Sequence, residues 1–397
     1  MVGYSNFFTW EVRTKQLRGE VYNNMKALPN QNDKPEIVFL FGAGASYPDG
    51  VPLQTQIIPD ILHDEDPQLR NSEISKNIEK FLTQNFPHSN QYPSLEEVFG
   101  FINFFLLNDI SLSADWSHQK LLQLKLDLTK VIHYIISKKT SKSENFKLFW
   151  QEIRSKNKNI AIITTNYDTL IDEAFDAIYA DCLLDYCLDF TNYRYEDGYV
   201  LDAFNWWVNP QKPTYFYEDI IPTRIKLIKI HGSLNWKYCD CCSQVTLTPW
   251  QHQINLKKDS FQSFLDSESQ TSICPFDKNK LSSLIQVPTH LKVNNNHTFN
   301  KLYDEALYLV RNAKILVFIG YSFPEADVHI RALIRRGFSE NGKIIVINKS
   351  KASDLKYRYE SLAKNVEYYQ MTFERFVRSK LLKNILSNQC RVSQGIQ

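Results

Sequence analysis

A short apolar segment that ends in two closely spaced glycines limits what this chain can fold into. Residues 37–41, Ile-Val-Phe-Leu-Phe, contain no polar residue, which is typical of a strand buried on both faces of a parallel sheet. Gly42 and Gly44 follow, and helix-forming residues resume after Pro52. Such glycines permit a close approach of pyrophosphate to the start of a helix, but they are equally typical of an ordinary turn. The segment predicts a strand–turn–helix unit and leaves a nucleotide site as one of two alternatives.

Three later segments follow the same pattern of an apolar strand that ends in small or polar residues. They are residues 160–168, 228–233 and 315–322, and a further strand at 343–347 ends in Asn348. Because ligands of an open parallel sheet bind outside the carboxyl ends of its strands, we expect these ends to line one crevice. The predicted fold class is therefore α/β, with a Rossmann-like parallel sheet, a helical insertion and a small irregular insertion.

The motifs at these strand ends also occur in a characteristic order. They are Gly42-Ala-Gly-Ala-Ser46, Gly50-Val-Pro52, Thr165-Asn-Tyr-Asp168, His231-Gly-Ser233, Gly320-Tyr-Ser-Phe323 and Ile347-Asn348. The series resembles that of the sirtuins over about residues 35–350, and its detailed forms are most similar to sirtuin-like effectors of bacterial anti-phage defence. Those effectors hydrolyse NAD. The resemblance implies an NAD hydrolase (NADase) that acts in abortive infection by depleting cellular NAD.

Departures from the deacylating sirtuins favour hydrolysis over deacylation. Where deacylases carry Asp-Phe-Arg after the Gly-Val-Pro motif, this chain has Leu53-Gln54-Thr55. Thr165 replaces their Gln beside the catalytic Asn, and their Phe-Gly-Glu segment has no counterpart. Two alternatives remain open at this point, which are an NAD-dependent protein deacylase and a non-catalytic module that senses NAD or ADP-ribose.

The resemblance assigns catalytic roles to three residues. Asn166 is expected to position the ribose hydroxyls or the attacking water, and His231 to act as general base, since its pKa is naturally near neutrality. Asp168 is expected to hold the nicotinamide carboxamide. The structural alternatives are a buried histidine at a strand end, a turn asparagine and a helix N-cap aspartate.

NAD is thus expected as the substrate, and the resemblance also assigns residues that bind it. Pyrophosphate would contact the first glycine turn, the second would contact phosphate or ribose, and Asn348 would contact the adenosine ribose. Asp327 is expected only to begin the next helix, where negative charge is favourable. The binding residues are Gly42, Ala43, Gly44, Ser46, Thr165, Gly232, Gly320, Ser322 and Asn348.

A group of cysteines lies in the region where sirtuins carry a structural zinc held by two Cys-x-x-Cys pairs. Cys239, Cys242 and Cys274 are the candidate ligands, and Asp277 stands where the fourth thiolate would be. Because zinc also accepts carboxylate or imidazole ligands, Asp277 or His252 would complete the set. The alternative is a degenerate zinc-ribbon-like loop held by packing alone.

Composition limits the setting and the partners. No apolar run reaches about 18 residues and the amino terminus lacks a signal-peptide pattern, so a cytoplasmic protein without a membrane span is expected. Seven cysteines, an odd number, fit a reducing compartment. The 46 Lys and Arg balance 44 Asp and Glu, so nucleic acid is expected only indirectly, through a partner.

The chain is predicted to form one enlarged domain with two flanking segments. A helix is predicted over residues 121–137, a capping box at Ser94 and Glu97, and an irregular loop or lid in the aromatic-rich residues 179–225. The predicted divisions are an N-terminal extension (1–34), a sirtuin-like Rossmann domain (35–350) with a helical insertion (65–158) and a small cysteine-containing insertion (236–298), and a C-terminal helical tail (351–397).

A partner is expected because an enzyme that depletes NAD has to stay latent until it is needed. By the resemblance, a homo-oligomer with a separately encoded HerA-type ATPase/helicase is expected, and an Argonaute-type partner is the alternative. The sequence leaves open the trigger, the oligomer size and the choice between NAD and NADP.

Overall fold

The computed structural model describes residues 34–86, 92–156, 159–179, 182–188, 190–192, 195–196, 199–200, 223–247, 256, 273–274, 276–287 and 296–387. Its helices are α1 (Ala43–Ser46), α2 (Gln54–His63), α3 (Pro67–Arg70), α4 (Glu73–Asn85), α5 (Leu95–Leu107), α6 (His118–Lys139), α7 (Glu144–Lys156), α8 (Leu170–Ile178), α9 (His297–Asn312), α10 (Val328–Gly337), α11 (Ala352–Glu360), α12 (Phe373–Val377) and α13 (Lys380–Ser387). Its strands are β1 (Ile37–Phe41), β2 (Ile160–Thr164), β3 (Cys182–Asp185), β4 (Phe190–Asn192), β5 (Tyr195–Glu196), β6 (Tyr199–Val200), β7 (Thr223–Lys229), β8 (Gly232–Tyr238), β9 (Val245–Leu247), β10 (Ser282–Ile285), β11 (Ile315–Ile319), β12 (Lys343–Asn348) and β13 (Asn365–Gln370).

A seven-stranded parallel sheet in the order β13-β12-β11-β1-β2-β7-β3 organises the molecule. After β1 the chain adds β2, β3 and β7 on one side, and it then crosses to add β11, β12 and β13 on the other. The order therefore reverses between β1 and β11, which is where an open α/β sheet forms its ligand crevice. The predicted Rossmann-like α/β fold is confirmed.

The central strand is apolar because both of its faces are buried. Every residue of β1 is buried. Phe39 and Phe41 both meet the edge of Phe149 on α7, with ring centroids 5.1 and 5.3 Å apart, and Phe41 also contacts Phe373 on α12 at 5.6 Å. This aromatic cluster fixes the height at which β1 ends and the glycine turn begins.

Helices α2 to α7 separate β1 from β2 in the chain, where a helical insertion was predicted. The capping box is confirmed, since the Ser94 Oγ accepts from the Glu97 N–H at 3.2 Å and the Glu97 Oε2 accepts from the Ser94 N–H at 2.6 Å. The predicted helix over 121–137 is also confirmed, and α6 extends slightly beyond it at both ends. No helix among the described residues is long and apolar enough to cross a membrane.

Two segments are more regular than expected. The tail predicted to be helical contains β13, which pairs in parallel with β12 at the sheet edge. Residues 236–298 contribute to a second sheet in the order β10-β8-β9-β4, so this insertion is not wholly irregular. The strands in both segments are short, and periodicity is a weak signal in short strands. Most of residues 179–225 and all of residues 1–33 lie outside the described residues.

Candidate active site

Two glycine turns bring the ends of β1 and β11 into backbone contact. The Gly42 N–H donates to the Ile319 carbonyl at 3.0 Å, and the Gly44 N–H donates to the Gly320 carbonyl at 2.9 Å. Gly320 has a φ of +61°, and a Cβ on it would lie 2.3 Å from the Ala45 nitrogen. A side chain at either turn would therefore separate the strands at the point where the crevice opens. The N–H groups of Gly42 and Gly44 already donate to protein carbonyls. These glycines therefore act by allowing the two strand ends to approach each other closely.

Asn166 lies directly after β2 and is held against the first glycine turn. Its side-chain amide donates to the Gly42 carbonyl at 3.1 Å and to the buried Ser46 Oγ at 2.9 Å. The preceding backbone is fixed as well, since the Thr165 N–H donates to the Phe41 carbonyl at 3.1 Å. These bonds set the plane of the Asn166 carboxamide without any ligand.

Asp168 is a buried carboxylate with two differently placed oxygens. Its Oδ1 accepts from the Leu170 N–H at 3.1 Å at the start of α8, where Thr169 occupies the N-cap position. Its Oδ2 is buried and makes no hydrogen bond of normal geometry. Burial raises the pKa of Asp168, and the charge of Lys229 and the Ser46 hydroxyl oppose that rise. A buried acceptor atom thus faces the end of β2.

Lys229, the last residue of β7, joins a buried set of charges beneath this point. Its Nζ donates to the Asp168 carbonyl oxygen at 2.6 Å and to the Asp172 Oδ2 at 2.9 Å. The Tyr186 hydroxyl donates to the other oxygen of Asp172 at 2.5 Å. We call Asp172, Tyr186 and Lys229 the Lys229 network. It anchors the strand end on which the next residues of the site depend.

His231 lies two residues beyond, where the chain leaves the parallel sheet for the second sheet. Its carbonyl accepts from the Gln286 N–H at 2.8 Å, and Gly232 makes the turn with a φ of +81°. A Cβ on Gly232 would lie 2.0 Å from the Leu284 carbonyl oxygen, so the turn needs glycine. The sequence and the packing together place the buried imidazole of His231 at the crevice.

Two residues that the sequence analysis left out of the site lie against this imidazole. The His231 Nε2 is 2.8 Å from the His329 Nε2 and 3.8 Å from the Asp327 Oδ1. Asp327 was predicted to lie in the first turn of this helix, but it is the N-cap residue that precedes α10, and its side chain makes no capping hydrogen bond. It faces the predicted base instead. We call His231, Asp327 and His329 the His231 cluster. The only sequence signal for it is an Asp-x-His spacing at a helix start that follows a strand of the crevice.

The residues after β11 and β12 support Asp327 from behind. The buried Tyr321 hydroxyl donates to the Asp327 Oδ2 at 2.7 Å, and the Tyr321 carbonyl accepts from the Asn348 Nδ2 at 3.0 Å and from the Tyr359 hydroxyl at 2.5 Å. Asn348 Oδ1 accepts from the Ser350 N–H at 3.0 Å. Asn348, assigned above to the adenosine ribose, thus uses both ends of its carboxamide within the protein.

The remaining predicted binding residues lie around the same edge. Ala43 and Ser46 belong to the short helix α1, and Ser322 is exposed beyond β11. Tyr167 connects the Asn166 side of the crevice to the His231 side, since its ring centroid is 6.4 Å from that of His231 and its hydroxyl donates to the Gln286 carbonyl at 2.7 Å. The predicted residues are therefore brought to one edge of the sheet, with Asn348 directed into the protein.

The predicted cysteine group is brought together at the far end of β8. The ligand atoms of Cys239, Cys242, Cys274 and Asp277 all lie within 4.8 Å of one another, and Cys239 and Cys274 are buried. The Asn279 N–H, and then the neighbouring thiols, lower the pKa of Asp277 well below its usual value. Three sulfurs and one carboxylate oxygen fit the four positions of a tetrahedral zinc. His252, the other predicted ligand, lies outside the described residues.

Comparison with known proteins gives one match that extends over more than half of the chain. Residues 160–369 match the SIR2-like domain family. No curated protein matches the chain in sequence.

Several solved structures are similar over most of the chain, though weakly. A Sir2 homologue mutant with ADP-ribose is 12% identical, with 92% of this chain and 97% of that chain covered and a TM-score of 0.38. A Sir2 homologue mutant with 2′-O-acetyl-ADP-ribose is 14% identical, with coverage of 94% and 98% and a TM-score of 0.39. A Sir2 homologue with NAD is 13% identical, with coverage of 89% and 90% and a TM-score of 0.40.

The family assignment rests on the domain match. That match includes Asn166, Asp168, His231, Asp327 and His329. The chain therefore belongs to the SIR2-like domain family.

Proposed function

We propose that this chain hydrolyses NAD to nicotinamide and ADP-ribose. The observation that carries the proposal is that two groups suited to this chemistry follow the neighbouring strands β2 and β7. They are the carboxamide of Asn166, which two hydrogen bonds hold in place, and the buried imidazole of His231. They lie at the carboxyl edge where a parallel sheet binds nucleotides. Membership of the SIR2-like family supports NAD as the molecule bound there.

The chemistry requires orientation more than added reactive groups. Cleavage of the bond between nicotinamide and ribose passes through an oxocarbenium-like state, and water then adds to the ribose carbon. In the proposed mechanism the fixed carboxamide of Asn166 positions that water or the ribose hydroxyls, and small displacements in such a geometry lower the rate. The His231 Nε2 accepts the proton, which is worth about 10²- to 10⁴-fold in rate.

Asp168 is the proposed partner of the leaving group. Its Oδ2 is buried without a normal hydrogen bond, and the nicotinamide carboxamide carries N–H groups that would donate to it. The nearby Lys229 charge opposes the rise in the pKa of Asp168 caused by burial, which favours the acceptor form. Asp168 thus supports recognition of the ring that departs.

The same site bears on the two alternative functions. A deacylase needs a cleft for an acylated peptide, and the sequence lacks the motifs that supply it in deacylating sirtuins. A sensing module would need neither Asn166 nor His231 in this arrangement. Hydrolysis is therefore the function that the residues support best.

We further propose that the enzyme is a defence effector kept latent in a homo-oligomer in the cytoplasm. Its regulator would be a separately encoded HerA-type ATPase, with an Argonaute-type protein as the alternative, and nucleic acid would act only through that partner. The Cys239–Asp277 group would hold a structural zinc. The effector role and the partners are supported by the sequence motifs that resemble those of the defence effectors. The zinc is supported by the cysteine group and is assigned no step in the reaction.

A product analysis tests the central proposal. Purified chain at high concentration is incubated with NAD, with and without an acetylated peptide, and the products are separated by chromatography. ADP-ribose formed without peptide by the wild type, and not by Asn166→Ala, is the expected result. Acyl-ADP-ribose that forms only with peptide would show a deacylase. NAD that binds in calorimetry but stays intact, even after the candidate ATPase is added, would show a sensor.

A further inference from the structure

Three metal-ligating atoms converge at the mouth of the candidate active site. The His231 Nε2, the His329 Nε2 and the nearest oxygen of Asp327 all lie within 4.8 Å of one another. The two histidines come from different parts of the chain. His231 follows β7, and His329 lies in the first turn of α10. We infer that the His231 cluster is a binding site for a divalent transition metal of the zinc type, and that the bound ion inhibits the enzyme.

The two nitrogens lie close enough together to bind one cation. At 2.8 Å the two Nε2 atoms form a hydrogen bond in which one imidazole donates and the other accepts. A metal ion can take the place of that shared proton. Two nitrogen ligands at tetrahedral angles on zinc stand roughly 3.3 Å apart. A half-ångström movement of the rings therefore converts the proton-sharing pair into a metal-binding pair.

The carboxylate is the third ligand, and its orientation is already set. The Tyr321 hydroxyl holds the Asp327 Oδ2 at 2.7 Å, so the Oδ1 is the oxygen that lies toward His231, at 3.8 Å. A second hydrogen-bonding layer of this kind is what fixes ligands in metal sites. Two imidazoles and one carboxylate leave a fourth position for water, which is the usual composition of an open zinc site.

Access and charge are compatible with this occupant. His231 and Asp327 are buried, whereas His329 is only partly buried and gives an ion a route from solvent. Two neutral imidazoles and one carboxylate leave the bound ion with one net positive charge. Imidazole ligands select zinc, copper, nickel or iron over magnesium and calcium.

Metal binding would remove the lone pair on which the proposed reaction depends. A His231 Nε2 that is bonded to a metal ion cannot accept a proton from water or ribose. The inhibitory consequence rests on the proposed NAD hydrolysis, whereas the binding of the ion does not. The experiment therefore measures binding and inhibition separately.

Cobalt distinguishes this site from the cysteine group. Metal-free full-length protein is titrated with Co²⁺, because thiolate ligands give an intense near-ultraviolet absorption that imidazole and carboxylate ligands lack. The wild type is compared with His329→Gln, Asp327→Asn and the matched control His118→Gln, a partly exposed histidine on α6. We expect each cluster variant to lose one equivalent of cobalt, or at least about tenfold in affinity for it, with the thiolate absorption unchanged.

The outcomes separate cleanly. Cobalt binding that is the same in the wild type, His329→Gln and Asp327→Asn, with all bound ion showing thiolate absorption, would overturn the site. Circular dichroism and thermal melting identify any variant that fails to fold. If one of the two cluster variants does not fold, the other still tests the site. The same result in His118→Gln as in the cluster variants would also overturn the site, since it would show surface binding.

The inhibition is tested with Zn²⁺ on NAD cleavage. We expect zinc at the concentration that fills the site to lower the rate at least tenfold, and a chelator to restore it. Full activity with the site filled would overturn the inhibitory role and leave the binding site intact. A protein that binds cobalt at the cluster but never cleaves NAD would overturn the proposed function alone.

Discussion

The Lys229 network and the His231 cluster lie two residues apart in the chain. All of their residues are buried except the partly buried His329, yet their atoms are paired in opposite ways. In the Lys229 network the ammonium meets the Asp172 carboxylate at 2.9 Å, and the Tyr186 hydroxyl binds the other oxygen. In the His231 cluster two basic nitrogens face each other at 2.8 Å, and the nearest carboxylate oxygen is 3.8 Å away.

The difference shows that burial of charged groups does not by itself indicate function. A network in which opposite charges meet is complete without a ligand, and its role is to hold the end of β7. A cluster in which two imidazole nitrogens and a carboxylate converge can exchange a proton or bind a cation. Perturbed groups of both kinds occur in proteins, and the pairing distinguishes them.

The sharpest test of this comparison is the loss of the imidazole in His231→Ala. We expect NAD cleavage to fall by about 10²- to 10⁴-fold, because the proton acceptor is removed, while the melting temperature changes little. Rates are measured at equal amounts of folded protein, with His118→Ala as the matched histidine control. A large fall in stability with normal activity per folded molecule would show that the His231 cluster, like the Lys229 network, stabilises the fold and does not take part in the reaction.

The complementary test breaks the Lys229 network with Lys229→Met. We expect the free energy of unfolding to fall by about 3–5 kcal/mol, because Asp172 is left as a buried charge without its ammonium. Urea unfolding followed by circular dichroism measures this change.

A double variant shows whether the loss comes from the unpaired charge. In Lys229→Met/Asp172→Asn both charges are gone, so we expect a substantial part of the lost stability to return. If the double variant is as unstable as the sum of the two single variants, the ion pair is not what holds this strand end.

The same contrast explains how much of the site the sequence could predict. The glycine turns, the strand ends and the residues Asn166, Asp168 and His231 follow from local patterns and from motif order, because a parallel sheet brings its carboxyl ends together. The capping box at Ser94 is equally local. These features depend on a few adjacent residues, and the structure places them as expected.

Contacts between distant segments were not predictable in this way. Asp327 and His329 approach His231 only because α10 packs at the end of β11, and no local pattern encodes that approach. Asn348 and the Gly44 N–H were assigned to NAD, but hydrogen bonds to the Tyr321 and Gly320 carbonyls already use them. Such internal partners become visible only when the whole fold is known.

Lys237 on β8 extends the comparison to a third buried charge of the same segment. It is fully buried, and its Nζ donates to two neutral oxygens, the Leu234 carbonyl and the Ser283 hydroxyl, both at 3.0 Å. Burial lowers the pKa of Lys237 to about 7. His133 on α6 is a neighbouring ionisable group. Its pKa lies well below the usual value, because the residue is buried and because the charge of Lys237 is close. Burial therefore disfavours the charged form of Lys237 even though its ammonium donates these hydrogen bonds.

The smallest expected effect is therefore a gain, and it depends on pH. Lys237→Met should raise the free energy of unfolding by about 2 kcal/mol near pH 7, because the folded wild type bears the full penalty of burying an ammonium below that pH. Between pH 7 and the ordinary lysine pKa of 10.5, the unfolded chain keeps a proton that the folded chain has released, so the stability contributed by this residue rises with pH. The gap between variant and wild type should accordingly narrow from pH 7 to pH 10 in urea unfolding. A gap that stays constant would mean that Lys237 is charged and well paired in the fold, like Lys229, and would erase the contrast between the two buried lysines.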